Sequence, residues 1–335
     1  MFSSSAVPPV RDTRPYRARL RRGRVPAAAV LALALLGGCR AAEPATAGSS
    51  PSPEPSAVAF EALAPDVYQP CGISPGPAAV WVLACSGKAV KVPSGDGAAR
   101  TVRTIDGELV GIDSMSGDGS TKVWVISAKG IGSARRGMVA VLDAASGKAD
   151  ATVELGSSVP LHAAFVAGTL WVSTVDGGLY AVDGTSARRV ATGPPVVWIV
   201  TEGQRTWTVA ENGTVTERAV DGAAKRTFAG VLANANAAGA GLGSVWLASE
   251  EGVVRLDSAT GSPTTVEVTG TVNNIEFCGG HMWLSQPDFG LRSLDAAAKV
   301  VRSIRLEVAP SYLLCDAGRL WVLSQDGKLG SIATG

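Results

Sequence analysis

Residues able to carry out acid-base chemistry are scarce in this chain. Histidine, the side chain that most often exchanges protons near neutral pH, occurs only as His162 and His281 in 335 residues. One histidine cannot supply both a base and the ligands of a metal ion, and His281 is predicted to lie in a turn at the opposite end of its repeat from His162. The sequence therefore favours binding over catalysis, and no catalytic residue, metal or other cofactor is predicted. A lyase or hydrolase with His162 as its base is the alternative.

Polar and aromatic side chains recur about six residues before a series of glycines that are predicted to form turns. That position holds Asp113, His162, Ala237, Asn274 and Tyr312, with Trp198 and Asn236 one residue away from it. An aromatic ring beside amide, phenol and imidazole groups suits a polar small molecule, a sugar or a peptide segment. A shift of one residue would turn these strand side chains to the other face, so structural packing remains the alternative role for Trp198 and His162.

A basic pair, Arg135 and Arg136, lies in the insertion SAKGIGSARRG at 127–137. This insertion is predicted to lengthen a loop on the same face as the polar residues. It would place positive charge beside an otherwise acidic body, as an anionic ligand or partner would require. A solvated loop tip is the alternative interpretation.

The five cysteines divide into one near the N-terminus, Cys39, and four in the body of the chain. An even number of cysteines in an exported chain favours two disulfides. We predict the pairs Cys71–Cys85 and Cys278–Cys315, with free thiols as the alternative. No Cys-x-x-Cys pair or nearby histidine completes a zinc site.

The N-terminal segment has the pattern of an export signal. A basic cluster at 17–24 precedes a twelve-residue apolar run at 25–36, which is too short to span a bilayer but fits a signal peptide. The run ends in Leu36-Gly37-Gly38-Cys39, which resembles a bacterial lipobox. The resemblance implies cleavage after residue 38, acylation of Cys39 (palmitate among the acyl groups) and anchoring at the extracytoplasmic face of the cell membrane. A secreted protein with an incidental cysteine is the alternative, and the choice between Sec and twin-arginine export stays open.

Residues 39–56 follow as the lipidated cysteine and a stretch rich in Pro, Ser and Ala, without large apolar residues. Such a composition cannot offset the entropy lost on ordering, so we expect an extended tether. The folded body is predicted to be residues 57–335.

Tryptophan marks a repeat throughout this body. Seven of the eight tryptophans stand in short β-like runs such as AVWV and TLWV, and successive members are 43, 47, 36, 39, 37 and 38 residues apart. They are Trp81, Trp124, Trp171, Trp207, Trp246, Trp283 and Trp321. Each run lies between glycine turns and leads to an alternating run such as GVVRLD, which predicts four antiparallel strands, A to D, with the tryptophan on B. We expect these rings to pack between repeats.

Repeats of about 40 residues with four strands are typical of β-propeller blades. The pattern G-x-L-W-V followed by G-x-V-x-x-x-D-x-x-T-G resembles the YVTN and NHL-like propellers, the group that includes the streptogramin lyases. We therefore predict an all-β, seven-bladed propeller. The last repeat lacks a fourth strand, and VAFEAL at 58–63 is predicted to supply it and close the ring.

Composition limits the remaining choices. Without the first 38 residues the chain has 23 basic and 28 acidic residues, so a nucleic-acid partner is not expected. The expectation is a monomeric, membrane-anchored module that binds a small polar ligand or an envelope protein without catalysis. A purely structural envelope component, contacted at its outer blade edges, is a further possibility.

Overall fold

The computed structural model describes residues 60–62, 70–76, 79–84, 88–93, 101–104, 112–117, 121–130 and 135–334, with the backbone alone at 61–62, 101–104 and 112–117. This part of the chain folds into 28 strands and contains no helix. The lipobox at Cys39 and the tether at 39–56 lie outside the described residues.

The strands form seven sheets in chain order. The first strand, β1 (Phe60–Ala62), belongs to blade seven. Blade one contains β2 (Pro70–Gly76), β3 (Ala79–Ala84), β4 (Lys88–Pro93) and β5 (Thr101–Thr104), and blade two contains β6 (Ile112–Gly117), β7 (Lys122–Lys129), β8 (Arg136–Asp143) and β9 (Ala149–Glu154). Blade three contains β10 (Pro160–Val166), β11 (Thr169–Thr174), β12 (Gly178–Val182) and β13 (Ala187–Thr192), and blade four contains β14 (Val196–Glu202), β15 (Arg205–Ala210), β16 (Val215–Arg218) and β17 (Ala224–Phe228). Blade five contains β18 (Ala237–Gly241), β19 (Ser244–Ser249), β20 (Gly252–Asp257) and β21 (Pro263–Val266), and blade six contains β22 (Asn274–Cys278), β23 (His281–Gln286), β24 (Gly290–Leu294) and β25 (Val300–Ile304). Blade seven contains β26 (Pro310–Asp316), β27 (Arg319–Ser324), β28 (Lys328–Ala333) and, as its outer strand, β1 (Phe60–Ala62).

The first strand of each blade lies against the first strands of both neighbouring blades, and blade seven contacts blade one, so the sheets form a closed ring. Strand β1 pairs antiparallel with β28, with Phe60 opposite Gly330 and Ala62 opposite Lys328. The predicted seven-bladed propeller and its closure by an N-terminal strand are therefore confirmed.

Tight turns join the first and second strands of the blades, as the glycines predict. Ala167-Gly168, Leu242-Gly243 and Ala317-Gly318 each form a two-residue loop in which both residues have positive φ. Such loops match the twist of the paired strands. They fix where each second strand begins, and with it the position of its tryptophan.

Seven apolar clusters fill the seven gaps between adjacent blades, and each contains one second-strand tryptophan. Five of these tryptophans are at most 1% exposed, while Trp124 is 7% and Trp321 is 8% exposed. The cluster between blades four and five, for example, joins Trp207 with Val245 and Leu247. Burying one tryptophan contributes on the order of 4–6 kcal/mol as an upper bound. The predicted packing role of these residues is confirmed.

Cationic side chains cover several of the buried tryptophans. The guanidinium of Arg205 lies 4.7 Å from the centre of the Trp207 ring, and that of Arg255 lies 5.9 Å from the Trp246 ring. A cation over an indole face is attracted by the ring quadrupole while its stem shields the ring edge from water.

Replacement of Trp246 by Ala would empty the gap between blades five and six. We expect a loss of about 3–5 kcal/mol in the free energy of unfolding, because a large buried ring is removed and the surrounding blades can collapse only partly. Chemical denaturation would measure the loss. Val220→Ala is the control, since Val220 is 64% exposed and should change stability little. Equal effects at the two positions would contradict the packing role.

Deletion of residues 57–63 would remove β1 and leave the outer edge of β28 without its partner strand. We expect a lower melting temperature and a broader unfolding transition, because the ring would no longer be closed. Deletion of seven residues at 44–50 in the predicted tether is the control and should leave the transition unchanged. An unaltered melting temperature after the first deletion would show that ring closure does not depend on β1.

Candidate functional site

The predicted binding residues lie at or beside the starts of the innermost strands. In five blades this strand has a bulge after its first residue, and the bulge residues are Cys71, Asp113, Leu161, Val197 and Ser311. The residue after the bulge pairs with the second-strand position two residues beyond the tryptophan. This position defines one equivalent place in every blade: Gly72, Ser114, His162, Trp198, Ala237, Asn274 and Tyr312.

Two positions differ from the count: Trp198, expected one residue away, takes the equivalent place in blade four, and Asp113 does not take it in blade two. Asp113 is the bulge residue of blade two, and Ser114 takes the place equivalent to His162. Asn236 precedes β18 and donates its backbone N–H to the Ala248 carbonyl at 2.8 Å, while Ala237 holds the equivalent place. The count of six fails in blade two because five residues separate the paired Gly117 and Val123, whereas four separate the equivalent Phe165 and Leu170 in blade three.

His162 and Trp198 occupy neighbouring blades and contact each other. Their ring centres are 4.9 Å apart with the planes inclined at 61°. The Nδ1 atom of His162 accepts a hydrogen bond from the Ile199 N–H at 3.3 Å, and the Trp198 indole N–H donates to the Ala235 carbonyl at 2.9 Å. Each side chain therefore bonds to the backbone of the following blade.

Blades six and seven show the same kind of bond. Asn273 donates through Nδ2 to the Pro310 carbonyl at 3.0 Å, and the Oδ1 atom of Asn274 accepts from the Leu313 N–H at 3.2 Å. Tyr312 packs against the apolar cluster between blades seven and one. Since an unpaired edge leaves backbone donors and acceptors without partners, these side chains satisfy the inner strand edges of the ring.

A partly buried carboxyl was not identified from the sequence. Glu276 stands two residues beyond Asn274 on β22 and accepts a hydrogen bond from the Cys315 N–H through Oε1 at 3.1 Å. Burial raises its pKa to about 7, although the hydrogen bond from Cys315 acts in the opposite direction. The detectable signal was a charged residue in the middle of an inner strand, where the equivalent residues are small or apolar.

The long hairpin of blade two is built differently from the predicted loop. Strands β7 and β8 continue to Lys129 and Arg136, which pair with each other, so the loop is only residues 130–135. Lys129, Arg136 and Glu154 line a shallow depression of about 310 Å³ together with Gly130 and Met138. Arg136 is exposed and Arg135 is half-buried. The basic pair therefore lies at the base of the loop rather than at its tip.

The structure contains the Cys278–Cys315 disulfide, which joins the inner strands of blades six and seven with a Cα–Cα distance of 5.4 Å. Cys71 is also disulfide-bonded. Its predicted partner, Cys85, lies outside the described residues.

Two further arrangements bear on catalysis. The segment 72–76 has the spacing Gly-x-Ser-x-Gly of a nucleophile elbow, but it lies within β2, and Ser74 is 1% exposed. A nucleophile elbow needs a strand-to-helix turn that exposes the serine.

His281 begins β23, in the turn at the far end of blade six, as predicted, and its Nδ1 atom lies 2.9 Å from the Gly279 carbonyl. Within the described ranges, no group of three or more His, Cys, Asp or Glu residues is placed to hold a metal ion.

A cluster of ionised side chains around Glu217 has a structural role. Glu217 is 7% exposed and lies between Arg205 and Arg226, whose nitrogens approach its oxygens to 3.2 and 2.6 Å. Burial acts to raise the pKa of Glu217, but the hydrogen bonds and charges of the two arginines outweigh it and hold the pKa below its usual value. Both arginines also donate to the Ser258 carbonyl in blade five. The cluster therefore joins blades four and five.

The comparisons with known proteins show the fold. A catalytically inactive virginiamycin B lyase from Staphylococcus aureus, solved with quinupristin, superposes with a TM-score of 0.66 at 13% identity, over 82% of this chain and 98% of that one. BamB from Moraxella catarrhalis gives 0.55 at 18% identity, over 78% and 84% of the two chains. The computationally designed Ika8 protein gives 0.63 at 15% identity, over 82% and 86%. At these identities the similarity supports a common propeller architecture and does not define an activity.

No protein-family model and no curated protein sequence matches the chain. In the described part of the chain, no helix has the length and apolar character needed to cross a membrane.

Replacement of Asn274 by Ala would remove the acceptor of the Leu313 N–H. We expect a loss of about 1–3 kcal/mol in the free energy of unfolding, because a partly buried backbone donor is left without its partner. Asn212→Ala is the matched control, since the Asn212 side chain accepts a local bond from the Thr214 N–H in an exposed turn that water can replace. A smaller loss at Asn274 than at Asn212 in urea denaturation would contradict the proposed role of Asn274 in joining the blades.

Proposed function

We propose that this chain is a lipid-anchored, extracytoplasmic propeller that acts as a non-catalytic binding or interaction module. The main observation behind the proposal is the pair of contacts that His162 makes with blade four. Its Nδ1 atom accepts a hydrogen bond from the Ile199 N–H, and its ring packs against Trp198. A general base must present a basic atom to its substrate. In this arrangement the imidazole instead joins two blades.

The polar face at the starts of the inner strands supplies the binding surface in this proposal. Trp198 is half-buried, and its indole N–H is held by the Ala235 carbonyl, which fixes the orientation of its ring. An aromatic ring held in one orientation contributes contact area with little further loss of conformational entropy. On the same face, Lys129 and Arg136 outnumber the one acidic residue, Glu154, that lines the depression on blade two, and this positive charge favours an anionic ligand or partner.

The sequence Leu36-Gly37-Gly38-Cys39 supports the anchor. A diacylglycerol thioether with a further acyl chain provides two or more hydrophobic chains, which suffice for stable membrane attachment. Tethering would keep the propeller at the membrane surface and raise its effective concentration toward partners there.

Metabolic labelling with a palmitate analogue tests the anchor. We expect label on the wild-type protein and its recovery in the membrane fraction, and we expect Cys39→Ser to lose both, since only the thiol can form the thioether. Gly38→Ala is the control, because it keeps a small residue before the cysteine and should still be labelled. Full labelling of the Cys39→Ser protein would contradict acylation at this residue.

A turnover assay tests the lyase alternative. The purified protein would be incubated with quinupristin and Mg²⁺, and the remaining quinupristin quantified by mass spectrometry. We expect no consumption, because His162 joins neighbouring blades and no second histidine lies at that end of the ring. Consumption that disappears in a folded His162→Ala variant would establish the lyase alternative and contradict the non-catalytic proposal.

A further inference from the structure

The inner strands of blades six and seven are joined by several links in succession. From the residue before β22 to the last residue of that strand, these are the Asn273–Pro310 and Asn274–Leu313 hydrogen bonds, the Glu276–Cys315 hydrogen bond and the Cys278–Cys315 disulfide. We call this contact the six–seven seam. Glu276 is the single ionisable side chain among these links, since the asparagines stay neutral and the two cysteines are oxidised.

The surroundings of Glu276 contain little to compensate a negative charge. Among the side chains that the structure describes at the equivalent inner-strand position, the other blades have only small or apolar residues: Ser74, Ala164, Val200, Gly239 and Leu314. Strands β18 and β19, which pack against β22 from blade five, contain no ionisable residue.

The remaining strands packed against β22 contribute three titratable groups. His281 starts β23 opposite Cys278, two residues before Trp283, which is the residue opposite Glu276. Tyr312 and Asp316 lie on β26, where they alternate with Leu313 and Cys315 and thus belong to the face toward blade one. The influences on the carboxyl within the described residues are burial and the single N–H of Cys315.

We propose that the six–seven seam is a proton-controlled latch, in which protonation of Glu276 tightens the contact between the two blades and ionisation makes it open more easily. This inference concerns the ring itself and does not depend on the proposed binding function. Its basis is the position of one carboxyl across an interface whose other links do not titrate.

The direction of the pH dependence follows from the difference in the pKa of Glu276 between the closed and the open seam. In the closed seam the pKa of Glu276 is raised from its ordinary value of 4.5 to about 7. Glu276 is partly exposed in the closed seam. In an open seam more water reaches the carboxyl, and its pKa returns toward the ordinary value. Between these two pKa values the closed seam therefore binds more protons than the open seam. Protonation of Glu276 stabilises the closed seam fully below the ordinary pKa, and this stabilisation is lost as pH rises through about 7. The disulfide beside Glu276 keeps any such opening local.

Hydrogen exchange read by mass spectrometry on the intact, oxidised protein would test the latch. The measured segment is β26, which contains the Leu313 and Cys315 amides, at about pH 5.5 and about pH 8, after correction for the intrinsic exchange rate. We expect protection at the lower pH to be higher by up to about 30-fold. In Glu276→Gln, whose amide oxygen can still accept from Cys315, we expect protection that does not change with pH.

Strand β15 in blade four serves as the internal reference, because it does not contact β22 and its blade has its own links to blade five. Equal protection of β26 at the two pH values, a pH dependence that persists in Glu276→Gln, or the same change in β15 would each overturn the proposal. Should Glu276→Gln fail to fold, carbon NMR of the wild-type carboxyl decides: titration of Glu276 near its ordinary pKa would overturn the latch, and titration near neutrality would support it.

Discussion

Packing of one tryptophan into each gap between blades is the constraint on which the ring depends. A single four-stranded sheet has two faces and cannot bury either alone. The second-strand tryptophan solves this by filling the gap to the next blade, where it meets apolar residues of both sheets, as Trp207 does beside Val245. Because the seventh gap returns to blade one through Trp321, the same contact that joins two blades also closes the circle.

The innermost strands pose a second physical problem, since their free edges carry backbone groups without strand partners. The structure satisfies several of these groups with side chains from the preceding blade: His162 serves Ile199, Asn274 serves Leu313 and Glu276 serves Cys315. Residues able to bind a ligand at the centre of a propeller are thus the same ones that hold its inner edges. A polar residue at this place has a structural role before any functional one is considered.

The sequence was sufficient for the architecture because each blade repeats the same solution at a regular spacing. Seven equivalent tryptophans, glycine turns and a missing last strand together predicted the blade number and the closure through β1. The site was less predictable. Asp113 lies one residue from the expected place, because one more residue separates the paired first and second strands of blade two than separates those of blade three. Glu276 was not predicted as a site residue, because its burial and its hydrogen bond depend on the neighbouring blade and not on its spacing along one strand.

The six–seven seam and the closure of the ring meet in blade seven. Three residues of β1 hold the outer edge of β28, and Phe60 from this short strand also packs on the apolar cluster between blades six and seven. A blade whose outer strand comes from the other end of the chain has no covalent link to keep that strand in place. The Cys278–Cys315 bond instead fixes the inner side of the same blade. Blade seven is therefore held by a covalent bond near the channel and by strand pairing at its rim. With both attachments in place, ionisation of Glu276 can alter the six–seven seam without opening the ring.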